Sequence, residues 1–194
     1  MAAKISSPVL QNAQSRIAQL GTLGADLTAA INQRGTRVIF SSLISGGFTL
    51  NVINTIFVDP HLQDPNSFDL LVCTLAHECS HIQQGYWVDS VQQELVAYQT
   101  EARMADTLNY DYGRQLFGKF LTLDPTNPQD LDTALKNILD LAGGSVPTQT
   151  IYKSLPKFQP TGAADNLKAA LTQLSAAGIA GIQALRQLKS ESPR

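Results

Sequence analysis

The chain has 194 residues, of which 43% are hydrophobic and 15% charged, and a net charge of −2. This size and apolar content support a core without disulfide staples, and the low charged fraction argues against intrinsic disorder. The charge lacks the basic excess of a general nucleic-acid binder, two cysteines are too few for a disulfide framework, and no run approaches the ~20 apolar residues of a membrane span. The opening Met-Ala-Ala-Lys-Ile-Ser-Ser-Pro has no apolar h-region, so the expectation is a cytoplasmic chain without a cleavable signal.

Ser7-Pro8 reads as an N-cap with proline at the first helical position. A helical pattern runs through Val9, Ile17 and Leu20, is interrupted at Gly21 and Gly24, resumes through Leu27 and Ile31, and stops near Gly35. Residues 36–42 are β-rich, and Ser45-Gly46-Gly47 offers a turn. Leu50, Val52, Ile56 and Val58 share one parity, which predicts a strand over 48–58 ended by Asp59-Pro60. Asn66-Ser67 is the expected cap of a helix from about Phe68 to Gln84, closed by Gly85. Ser90-Val-Gln-Gln93 has the form of a capping box and opens a helix over about 91–117. Asp130 is the expected cap of a short helix ending at Gly143-Gly144, residues 145–161 read as loop, and 163–190 read as a last helix. The order implies an α+β protein, mainly helical, with a small antiparallel β-sheet or hairpin preceding the helix at 68–84.

Charge is unevenly placed. Three of the four glutamates, Glu78, Glu94 and Glu101, and two of the three histidines, His77 and His81, fall within residues 77–101. No lysine or arginine occurs between Arg37 and Arg103, a stretch holding Asp59, Asp64, Asp69, Glu78, Asp89, Glu94 and Glu101. Either Arg16, Arg34, Arg37 or Arg103 folds back onto these acids, or a bound cation balances them; the motif below favours the cation.

His77-Glu78-Cys79-Ser80-His81 is an H-E-x-x-H sequence. Residues four apart share one face of a helix, so both imidazoles can reach a single ion. Glu78 stands about 100° further round, beside the ion, where its carboxylate can take a proton from water. A catalytic zinc takes three protein ligands and keeps one open position. Candidates for the third ligand are Glu94, Glu101, Asp89 and His61. Glu94 is favoured, because a tight turn at Gly85 brings the start of the following helix beside His81. Glu101, two turns further along the same face, suits a hydrogen bond to a histidine N–H. His61 is the rival from the loop after the strand. Cys73 and Cys79 are six apart on one helix and cannot bridge each other, so both read as small packing residues.

His77-Glu-Cys-Ser-His81 followed by Glu94-Leu-Val-Ala97-Tyr98 resembles the gluzincin group of zincin-like metallopeptidases, in particular its small members. The strand ending Ile-Phe-Val58 before the motif helix is similar to the zincin edge strand, which lies against an extended substrate. The resemblance covers about residues 36–117. It implies a single zincin-like domain over 1–194 with helical extensions at both ends. It further implies Zn²⁺ held by His77, His81 and Glu94, Glu78 as general base, and a peptide or protein as substrate; the charge and the lack of a long apolar run leave neither nucleic acid nor membrane as an expected partner. A phenol near such a site can stabilise an oxyanion; Tyr98, four residues after Glu94, is taken for that role over Tyr86 in the connection. The acid-rich stretch implies basic or neutral substrate residues near the scissile bond. Two alternatives stand beside this expectation. One is a zinc-binding regulatory or interaction protein that is latent, self-cleaving or inactive. The other is a helical interaction domain without metal.

Overall fold

The computed structural model describes residues 2–42, 46–143, 146–173 and 175–176. Its contacts divide the chain into two units, Met1–Tyr86 with Val96–Thr122, and Trp87–Leu95 with Leu123–Arg194. The protein is mixed α+β, and helix outweighs a small four-stranded sheet. No helix among the described residues is long and apolar enough to cross a membrane.

The first unit opens with β1 (Lys4–Ile5), α1 (Pro8–Ala18) and α2 (Gly21–Arg34). Ser7 caps α1 as expected, its hydroxyl accepting from the Leu10 N–H at 3.2 Å. Only one of the two expected glycine interruptions exists. Gly21 opens α2 with a φ of 77°, whereas Gly24 lies inside α2, where a Cβ would collide with the Ile17 carbonyl oxygen. Gly24 therefore permits the two helices to touch backbone to backbone. Gly35 ends α2 in the left-handed conformation.

The sheet corrects the expected antiparallel hairpin. It consists of β1, β2 (Arg37–Phe40), β3 (Gly47–Leu50) and β4 (Thr55–Val58), in the order β1-β2-β4-β3. The β1–β2 and β2–β4 pairs are parallel, and only β3–β4 is antiparallel. The single strand expected at 48–58 is broken by a 3₁₀ turn at Asn51–Ile53 and by Asn54 at a φ of 50°, a conformation asparagine tolerates. The chain then doubles back, and the shared parity of Leu50, Val52, Ile56 and Val58 has no single cause. Ile56 and Val58 are fully buried, while Val52 is 74% exposed. The strand ending at Val58 is thus interior, and β3 and β1 form the two edges.

Leu10, Ile17, Leu27, Ile31, Val38 and Ile56 join Leu71, Leu75 and Ile82 of α3 (Phe68–Gln84) in the core of the first unit. The bounds of α3 and its left-handed cap at Gly85 match the sequence expectation. The helix expected over 91–117 is two, α4 (Val91–Thr107) and α5 (Asp111–Phe117), separated where Asn109 takes a φ of 59°.

In the second unit, α6 (Pro128–Leu141) is capped by Asn127 rather than Asp130, because Pro128 occupies the first helical position and the Asn127 side chain accepts from the Gln129 N–H. Asp130 instead accepts from the Asp124 N–H. The loop expected at 145–161 contains a helix, α7 (Val146–Lys153). A proline in the first turn is compatible with helix, and Pro147 sits there. Residues 163–173 are helical as expected; the part of that helix placed beyond residue 176 lies outside the described residues.

Candidate metal centre

Residues 71–82 of α3 are all buried, so its polar members must find partners inside the protein. His77, Glu78 and His81 are 6%, 4% and 4% exposed, and Glu94 and Glu101 of α4 are 7% and 4% exposed. Five ionisable side chains at this depth are costly unless hydrogen-bonded, paired or bound to an ion.

The helical spacing places His77 Nε2 3.2 Å from His81 Nε2. Two nitrogens bound to one tetrahedral zinc at ~2.0–2.1 Å stand about 3.3–3.4 Å apart, so this separation fits a shared ion. One ligand atom from each of His77, His81 and Glu94 lies within 4.8 Å of the other two. Among the described residues no other three histidine, cysteine or acidic side chains converge in this way. Two imidazoles and a carboxylate are a donor set zinc favours.

Glu101 does not join this group. Its Oε2 lies 3.1 Å from His77 Nδ1, on the far side of the ring. A proton on Nδ1 shared with that carboxylate leaves the Nε2 lone pair facing His81, the tautomer a metal ligand requires. His61 is also outside: its side chain is 95% exposed, with Nδ1 2.8 Å from Asp59 Oδ1. Burial pushes the Asp59 carboxyl up, but hydrogen bonds from the His61 backbone and ring and from the Gly46 N–H outweigh it and hold the group below the usual carboxylate range. Asp89 is half-buried in the connection before α4, with backbone bonds to the Gln173 side chain.

Glu78 is gripped by the edge strand. The Thr49 hydroxyl lies 2.7 Å from Glu78 Oε2 and 3.2 Å from its backbone oxygen. Gly47, two residues earlier on the same face of β3, has no room for a side chain: a Cβ there would sit 2.5 Å from Glu78 Oε1. At the end of α3, the Asn51 amide donates to the His81 carbonyl at 3.3 Å. None of these three partners was visible in the motif. The only available signal was a glycine next to a strand pattern, which marks a bulge or a close approach as often as a turn.

The Tyr98 ring stands edge-on to His77, with centroids 4.6 Å apart, and stacks on Phe120 at the same separation. It forms a wall beside the imidazole that Glu101 orients. Tyr86 and Trp87 are exposed. Cys73 and Cys79 are free, buried thiols. Burial raises both pKa values, with Glu101 and Asp69 adding to the effect at Cys73 and Glu78 at Cys79. No protein-family model, curated protein or solved structure matches the chain.

Proposed function

We propose that this chain is a zinc-dependent metallopeptidase of the gluzincin type, built on a zincin-like fold. The observation that carries the reading is the convergence of His77, His81 and Glu94, with Glu101 behind His77 and the Glu78 carboxylate held by Thr49. A divalent ion held by these three residues supplies the acidity that makes water a nucleophile at neutral pH, and it polarises a substrate carbonyl.

The chain's own groups do the rest. The Glu78 carboxylate takes the proton from the attacking water and delivers it to the leaving amine. The Thr49 hydroxyl fixes the plane of that carboxylate in advance, so little reorganisation is needed when the proton moves. Glu101 keeps the His77 ring in one tautomer and one orientation. β3 is paired with β4 and is the edge strand that carries Thr49, so an extended peptide can add to it with its backbone running past Thr49. Tyr98, whose ring lies against His77, is the donor we assign to the developing oxyanion. Seven acids in residues 38–102 favour basic or neutral residues at the scissile bond.

The test is Glu78→Gln against wild type on a mixed fluorogenic peptide library, with metal content measured in parallel. The reading expects equal metal in both and a loss of cleavage of about 100-fold or more in the variant. Equal cleavage by both would refute Glu78 as the base. The depth of the site favours one second reading, a zinc-binding regulatory protein that is latent or inactive. A wild type that holds metal and cleaves neither the library nor itself would support it.

A further inference from the structure

The first turn of α4 carries Glu94, and that turn is held by a distant part of the chain. A helix leaves its first backbone N–H groups without partners inside the helix. Here the Gln93 N–H is met locally by the Ser90 hydroxyl at 3.2 Å, and the Glu94 N–H by the Ser90 carbonyl at 3.0 Å. The Val91 and Gln92 N–H groups instead donate to the carbonyls of Pro156 and Lys157, at 2.9 and 3.1 Å. The Gln92 side chain accepts from the Gln159 N–H at 3.3 Å. One residue upstream of Ser90, the Gln173 amide spans both backbone groups of Asp89: it donates to the carbonyl at 2.7 Å and accepts from the N–H at 3.4 Å. Segment 156–173 thus makes five hydrogen bonds to residues 89–92, directly before Glu94.

We infer that segment 156–173 is a clamp on the Glu94 turn, so that its docking and metal binding at His77, His81 and Glu94 strengthen each other. The inference rests on the metal-centre reading and adds a regulatory element to it. A fixed first turn delivers the Glu94 carboxylate to His77, which Glu101 already orients, and to His81 beside it. With the clamp released, two backbone donors lose their partners, the turn frays, and the third ligand must be ordered by the ion itself. Any event that pulls the segment away, such as a nick near residue 155 or a competing partner, then loosens the metal. Thermodynamic linkage makes the coupling reciprocal, so the ion must tighten the clamp by the same factor.

Two measurements on the full-length chain test this. The first is zinc affinity by competition with a chromophoric chelator, wild type against Gln173→Leu. Supporting groups outside the ligand shell change metal affinity by about 10–100-fold, and the clamp predicts a loss of about tenfold. The second needs no variant: amide exchange at Val91 and Gln92 in metal-free and zinc-loaded wild type, where zinc should slow exchange by a comparable factor. A wild type that binds zinc, with affinity unchanged in Gln173→Leu and exchange at 91–92 indifferent to the ion, overturns the clamp and leaves the metal centre standing. A wild type that binds no zinc overturns the metal centre, and the coupling with it.

Discussion

At the scale of single residues, the roles of the three glutamates follow from where each carboxylate points. Glu94 reaches the histidine pair, Glu101 backs His77, and Glu78 turns to the edge strand. These placements predict different losses. Glu94→Ala removes the proposed third ligand and should abolish stoichiometric zinc. Glu101→Ala removes only the support behind His77 and should weaken zinc by about 10–100-fold, read by chelator competition. Gly47→Ala forces a methyl group against the Glu78 carboxylate, which Thr49 holds in place. It should cost roughly 1–3 kcal/mol in denaturant melts, as overpacking generally does, while retaining zinc. Cys73 and Cys79 should resist a thiol reagent in the native protein and react on unfolding, because burial raises both pKa values and blocks access.

At the scale of elements, legibility tracked local chemistry. Ser7-Pro8, Gly35, Gly85 and the Ser90–Gln93 box carry their own backbone instructions, and the helix ends they imply are present. The H-E-x-x-H helix was legible for the same reason, since the spacing of its two histidines is a property of one helix. Strand pairing was not. β1 has two residues, too few for a pattern, and exists because Lys4 and Ser6 donate to the carbonyls of Thr36 and Val38 across the chain. At the break, the Asn54 side chain accepts from the Thr36 hydroxyl and donates to the Arg34 carbonyl, contacts 18 and 20 residues away. Parity alone therefore merged β3 and β4, and the resemblance to an edge strand fell on β4, which lies inside the sheet. Glu94 was within reach because it lies one short turn beyond the motif; Thr49, on a strand 29 residues from Glu78, was not. The α1–α2 contact gives its own prediction. Gly24→Ala should be among the most damaging single-methyl changes, at about 3 kcal/mol, because backbone rather than a movable side chain meets the new Cβ. The loss is read as a drop in the denaturant midpoint.

At the scale of the whole molecule, an ion held by His77, His81 and Glu94 would be a folding ligand. A stretch with seven acids and no lysine or arginine carries three buried glutamates, and a bound divalent cation would offset part of that charge. An ion that binds only the native state adds stability with its concentration, about 4 kcal/mol at a thousandfold excess over its Kd. For a chain of this length that corresponds to roughly 10 °C in Tm. A strong chelator should therefore lower the Tm of wild type by about that amount and leave the Tm of Glu94→Ala unchanged. The most direct measurement is metal content by elemental mass spectrometry on untagged protein purified without chelator, with Glu94→Ala and Glu101→Ala alongside. A metal centre at His77, His81 and Glu94 means one zinc per wild-type chain, lost in Glu94→Ala and kept in Glu101→Ala when zinc is supplied in excess. A wild type that holds no metal after zinc is added back would contradict it.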